Sequence, residues 1–192
     1  SSAASDVYKR QWYMLWEITD AREEAHRLGR SSFLAEHPGP VLLGLAMRPG
    51  NLIEDNSKRF SPTTGQPLRQ TMRFEMADVL EDGDRPEADE QLSWVMKLTR
   101  HDDNPVAMHI GRLVDSHLTL ADYSVSEHHA TMTLSPNLAS AQLIDHHSTN
   151  GTFLNEHRLR AYLAVDVDSG DQLRFGRVRF RFLSAAGLYE LL

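Results

Sequence analysis

The sequence predicts a mainly β protein: an antiparallel sandwich in the C-terminal half, preceded by a helical N-terminal region. Three observations carry that prediction. Period-two apolar runs recur beyond about residue 91, clusters of Asn, Asp, Gly and Pro separate them, and one N-terminal segment repeats its apolar residues at helical spacing.

The helical segment extends from about Asp6 to Gly29. Tyr8, Trp12, Leu15, Trp16 and Thr19 recur on one face, and Asp20 to Arg30 is dense in charge and helix formers. Gly29, followed by Ser31 and Ser32, is the expected stop. An apolar face with two tryptophans needs cover, and the rest of the chain is its expected partner. His37-Pro38-Gly39-Pro40 and Arg48-Pro49-Gly50-Asn51 punctuate the chain, and the short apolar run from Val41 to Met47 between them fits a buried strand or helix segment. Ser61 to Pro67 reads as loop, and the alternation of Met72, Phe74 and Met76 with Arg73 and Glu75 reads as a short strand. Glu81 to Glu90 is acidic, contains Gly83 and Pro86, and reads as a solvated linker. The expected division is therefore a helical extension or small accessory region over residues 1–90 and a β domain over residues 91–192.

Beyond the linker, Leu92, Trp94, Met96 and Leu98 alternate with Ser93, Val95 and Lys97. Val106, Met108 and Ile110 repeat the pattern, as do Ala130, Met132 and Leu134, and then Val178, Phe180 and Phe182. Such runs with turn clusters between them predict a sandwich or barrel. Arg174, Arg177, Arg179 and Arg181 alternate with the last apolar set and read as one solvated strand face. Ser184 to Leu192 predicts a closing helix.

Composition bounds the function. The sequence has 192 residues, 41% hydrophobic and 24% charged, enough for a core without covalent staples. Cysteine is absent, which excludes disulfides, thiolate metal sites and cysteine nucleophiles and fits a reducing, cytoplasmic location. The formal net charge is −7, with 11 basic and 16 acidic residues up to Glu90 and 9 and 11 from Gln91 onward. No basic stripe marks a nucleic-acid partner, no apolar run is long enough for a membrane span, and the opening Ser1-Ser2-Ala3-Ala4-Ser5 does not read as a secretion signal. Neither nucleic acid nor membrane is an expected partner.

The chemistry lies in four pieces of the β-rich half. These are Gly111-Arg112 at a strand end, Ser126-Glu127-His128-His129 before another strand, Ser148-Thr149-Asn150-Gly151-Thr152 with Asn155 after it, and Gly170 to Gly176. Asn150-Gly151 is a tight-turn signal, since both positions tolerate positive φ. Arg112 beside Gly111 places a planar, permanently charged fork next to unhindered backbone, an arrangement suited to a phosphate. Ser126 and Thr149 are short hydroxyl donors on loops, where sandwiches carry their binding residues. Ser126 and His129 lie only three residues apart with no evident Asp partner, so no catalytic residue is expected. The doublets His128-His129 and His146-His147 point to opposite strand faces and make no chelate, so no metal or other cofactor is expected.

Taken together, this order and spacing resembles the forkhead-associated (FHA) domain, from near Leu92 to the C-terminus. The resemblance implies an FHA-type antiparallel β-sandwich of about eleven strands whose loops bind a phosphothreonine peptide, and hence a signalling adaptor rather than an enzyme. By family role, Arg112 and Ser126 hold the phosphate, Thr149 contributes beside them and Asn150 holds the ligand backbone. Gly111, His129, Gly151 and Asn155 form the loop framework. The implied partner is a threonine-phosphorylated protein, such as a Ser/Thr kinase or its substrate. The competing class is a degenerate FHA scaffold that joins proteins without phosphate.

One binding-site position departs from the pattern. Glu127 stands where the family usually has a basic or amide residue. At about 6 Å a carboxylate and one phosphate charge repel by about 0.7 kcal/mol in water and about 2.8 kcal/mol at an effective dielectric of 20. Pairing with Arg158 or Arg160, or a charge on His128, would relieve that repulsion.

Overall fold

The computed structural model describes residues 15–44, 94–98, 107–113, 116–120 and 122–192. Two sheets face each other. The larger runs β1 (Leu15–Glu17), β3 (Trp94–Lys97), β2 (Val41–Gly44), β12 (Val178–Leu183), β11 (Gln172–Phe175), β8 (Thr152–Leu154) and β9 (His157–Arg158), in that spatial order. The smaller runs β10 (Val165–Val167), β7 (Ala141–Asp145), β6 (Ala130–Leu134), β4 (Ala107–Gly111) and β5 (Leu118–Thr119). Pairing is antiparallel except between β4 and β5. This is the FHA-type β-sandwich the sequence implied, with an N-terminal helix, α1 (Ile18–Glu36), and a closing helix, α2 (Ala185–Leu191).

Alternation explains the core. Leu42, Phe180, Phe182 and Leu173 point inward from the larger sheet and meet Met108, Ile110, Met132 and Leu143 of the smaller one. The β3–β2–β12 part of the larger sheet is buried on its outer face too. There Val41, Leu43, Val95 and Leu183 pack with Ala25 and Phe33 of α1 and Leu188 of α2. Complete burial of Phe33 contributes about 2 kcal/mol. Val95 is therefore wholly buried, although one-sided alternation assigned it to the solvent side.

The N-terminal helix differs from its expected bounds. Leu15, Trp16 and Glu17 form β1, pairing with Met96, Val95 and Trp94, and the helix begins only at Ile18. Trp16 stacks on Phe33 with centroids 6.0 Å apart, and Lys97 Nζ lies 3.7 Å from the centroid of its ring. Gly29 is not the stop but a kink, with φ 71° and ψ 166°, past which the helix resumes to Glu36. Tyr8 and Trp12 lie outside the described residues, as do the expected strand at 72–76 and the linker at 81–90. The larger sheet takes strands from both sides of the expected division, since Val41–Gly44 lies between β3 and β12.

The arginines near the C-terminus do not form one solvated face. Arg174 is 5% exposed, with its guanidinium 3.4 Å from the centroid of the Phe153 ring and Nη1 donating to the Gly176 carbonyl at 2.9 Å. Arg177, in the turn between β11 and β12, pairs with Asp122 at 2.9 Å. Among the described residues, no helix is long and apolar enough to cross a membrane.

Candidate functional site

The loops that carry the motifs are stitched together by hydrogen bonds. The Arg112 N–H donates to the Ser126 carbonyl at 2.9 Å, and the Thr149 N–H donates to Ser126 Oγ at 3.1 Å. Ser126 Oγ also lies 3.4 Å from Thr149 Oγ1. Asn150 Nδ2 donates to the Ser124 carbonyl at 2.9 Å, and the Gly176 N–H donates to the Gly151 carbonyl at 3.0 Å. Arg112, Ser126, Glu127, Thr149 and Asn150 are thus brought together, though they come from three separate loops. Arg112 is anchored through Nε to the Val125 carbonyl at 3.2 Å, and its Nη2 lies 3.8 Å from Glu127 Oε1. Glu127 therefore faces Arg112 rather than Arg158 or Arg160. Arg158 instead lies against Gly151, where a Cβ would come within 2.7 Å of its Nε.

Two glycines are explained by what surrounds them. A Cβ on Gly111 would overlap the Glu127 carbonyl oxygen and lie 2.9 Å from its carbon, so the Ser126–Glu127 loop can approach β4 only over a glycine. Gly151 has φ 86°, the left-handed region that the Asn-Gly turn requires.

His129 joins two of the loops from beneath. It is fully buried, and its Nδ1 accepts from the Ser126 N–H at 3.0 Å. That fixes the tautomer with the proton on Nε2, which donates to the Gly151 carbonyl at 3.2 Å. Burial holds its pKa at about 4, against the opposing pull of Asp145 and of the Gly151 bond. The unfolded side chain takes a proton near pH 6.5, whereas the folded one resists until about pH 4. Stability from this residue is therefore complete above pH 6.5 and falls as the pH drops from 6.5 toward 4, by about 3 kcal/mol in all. Urea unfolding of the wild type and His129→Gln between pH 7 and pH 4 checks this: the variant should lack that part of the slope.

Asp145, at the end of β7, is a framework residue to which the motif reading gave no role. Its buried carboxylate accepts from the Ser148 N–H at 3.1 Å, from Ser148 Oγ at 2.5 Å and from Thr152 Oγ1 at 2.6 Å. Three donors thus brace the turn that presents Thr149 and Asn150. Asp145→Ala strands them and should cost about 3 kcal/mol, read as a lower urea midpoint. The Asp-x-x-Ser spacing was the available signal, because Asp commonly accepts from backbone a few residues on. Asp122 does the same for Ser124, with its Oδ1 accepting from the Ser124 N–H at 2.8 Å and from Ser124 Oγ at 2.7 Å. Asn155, with φ 49°, is tied to the β11 side: its Nδ2 donates to Asp171 at 2.7 Å and its Oδ1 accepts from the Gln172 N–H at 2.9 Å.

The histidine doublets split between surroundings. His128 is exposed beside buried His129, and His146 Nε2 lies 2.6 Å from Thr131 Oγ1 while its neighbour His147 is exposed. Among the described residues, Glu24, Glu36 and His37 bring potential ligand atoms within 4.8 Å of one another. The ammonium of Lys97 sits 3.4 Å from His37 Nδ1 and supplies positive charge there already.

Comparison with known proteins bears on this loop cluster. The family profile of the FHA domain matches residues 108–176, a span that contains Gly111, Arg112, Ser126, His129, Thr149, Asn150, Gly151 and Asn155. Residues 108–176 are an FHA domain. The chain is 35% identical over 78 residues to the ABC transporter ATP-binding/permease protein Rv1747 of Mycobacterium tuberculosis, covering 41% of this chain and 8% of the transporter. Among solved structures, the FHA domain of the CT664 protein from Chlamydia trachomatis is similar at 17% identity and TM-score 0.42, covering 49% of this chain and 87% of that one. The N-terminal FHA domain of S. cerevisiae Rad53p, solved in complex with a phosphothreonine peptide, is similar at 18% identity and TM-score 0.42, covering 51% of this chain and 90% of that one. FHA domains are a family of phosphothreonine-binding modules.

Proposed function

We propose that this FHA domain binds phosphothreonine in a partner protein and acts as a signalling adaptor. The observation that carries this is the convergence of Arg112, Ser126 and Thr149. A permanently charged fork, anchored through Nε to the Val125 carbonyl, rises from a residue whose N–H bonds the Ser126 carbonyl, and Ser126 Oγ lies 3.4 Å from Thr149 Oγ1. In this reading Arg112 and Ser126 hold the phosphate, Thr149 adds a donor and Asn150 holds the ligand backbone. Gly111, His129, Gly151 and Asn155, with Asp145, keep the loops in place. The partner is a threonine-phosphorylated protein, such as a Ser/Thr kinase or its substrate. Residues 15–44 serve the domain as an accessory, completing its larger sheet through β1 and β2 and covering part of that sheet with α1.

A degenerate phosphothreonine library, with phosphoserine and unphosphorylated versions alongside, tests the proposal. Capture of the phosphothreonine peptides alone, or with a preference of about fivefold over phosphoserine from burial of one methyl, supports it. Equal capture of the unphosphorylated library by folded protein overturns it and favours a phosphate-independent scaffold.

A further inference from the structure

Glu127 gives the candidate site a charge requirement of its own. Its carboxylate faces Arg112 Nη2 at 3.8 Å, with its side chain 39% exposed against 14% for that of Arg112. The carboxylate cannot easily retreat with its backbone. The Glu127 carbonyl is packed onto Gly111, and the neighbouring Ser126 is fixed through its N–H to His129 and through its carbonyl to the Arg112 N–H. A phosphate arriving at Arg112 must therefore share the guanidinium with Glu127 or displace its side chain. Either way a carboxylate is left beside a group carrying up to about two negative charges. Among the described residues, the ion pair Glu127 makes is the one with Arg112, the cation the phosphate needs.

A basic side chain on the ligand resolves the conflict. Placed next to the phosphothreonine, a lysine or arginine can pair with Glu127 as the phosphate takes Arg112, whereas an acidic neighbour adds to the repulsion. The net charge of −7 acts in the same direction, drawing cationic segments toward the protein. We propose that Glu127 is a specificity-determining residue and that the partner's phosphothreonine is flanked by a basic residue. This inference rests on the proposed phosphothreonine reading and adds the chemistry of the neighbouring position.

Fluorescence anisotropy on matched phosphothreonine peptides tests it, with Lys, Ala or Glu substituted in turn at each flanking position. For the wild type, at one flanking position, Lys should bind about fivefold tighter than Ala, and Ala several-fold tighter than Glu, the range of a partly exposed ion pair. Glu127→Gln should flatten the series and Glu127→Lys should invert it. The preference should also shrink in high salt. Phosphothreonine-dependent binding that ignores flanking charge, or that keeps the same ranking in Glu127→Gln, overturns this inference and leaves the proposed function standing. Failure of every phosphothreonine peptide to bind folded wild-type protein overturns both.

Discussion

Arg112→Ala should abolish phosphopeptide binding while leaving the protein folded. A charge-assisted hydrogen bond contributes about 1.5–3 kcal/mol, and a guanidinium can make two in parallel to one phosphate. Their loss corresponds to an affinity drop of about 10²-fold or more, which anisotropy with a fluorescent phosphothreonine peptide will read directly. The Arg112 side chain donates through Nε to the Val125 carbonyl at 3.2 Å and faces Glu127 at 3.8 Å. The variant also separates the two functional classes, since a scaffold that joins proteins without phosphate would keep its partner. Arg112→Lys retains the charge but not the fork, and it should recover only part of the affinity.

Gly111→Ala should be the most damaging small substitution in the site. The added methyl would overlap the Glu127 carbonyl oxygen, which is backbone and cannot rotate aside as a side chain could. Either the Ser126–Glu127 loop lifts off β4 or the strand end shifts. Both disturb the Arg112–Ser126 backbone bond and the His129 contact to the Ser126 N–H. Overpacking of this kind costs about 1–3 kcal/mol, and lost hydrogen bonds add to it. Thermal denaturation should show a lower Tm. Affinity for phosphopeptide should fall at temperatures where the variant is still folded, because the loop carrying Ser126 has moved.

The sandwich was legible in the sequence where apolar and polar residues alternate along a run. Ala130–Leu134 and Val178–Leu183 alternate cleanly, and both are strands within a residue of their expected limits. The pattern misled where a second layer covers the sheet. Val95 and Leu43 lie on the outer face, yet α1 and α2 bury them, so period two cannot tell their two sides apart. Trp16 shows the converse error. Its spacing from Tyr8 and Trp12 suits a helix, but β3 offers an edge to pair with, and the chain takes it. Arg174 defeated the reading for another reason, because an arginine lying flat on Phe153 is buried through stacking that no periodicity encodes.

The candidate site was legible as a set of loop motifs, since Gly, Asn-Gly and short hydroxyl residues announce turn and donor chemistry locally. What holds those motifs together was less visible. Asp145 braces its turn through donors three and seven residues on, a local signal, whereas the His129 contact to Gly151, 22 residues away, depends on how the strands are registered. The partner of Glu127 was invisible for the same reason. The sequence offered Arg158 and Arg160 as cations further along the chain, but the approach of the Ser126 loop to β4 sets the carboxylate against Arg112 instead.

The measurement that bears most directly on the central claim is an NMR shift map. Isotope-labelled protein would be titrated with a phosphothreonine peptide and, separately, with its unphosphorylated twin. The amide signals of Arg112, Ser126, Thr149 and Asn150 should move with the phosphorylated peptide and stay still with the other. Shifts confined to α1 or the outer sheet faces, or identical maps from both peptides, would contradict a phosphothreonine site at these loops.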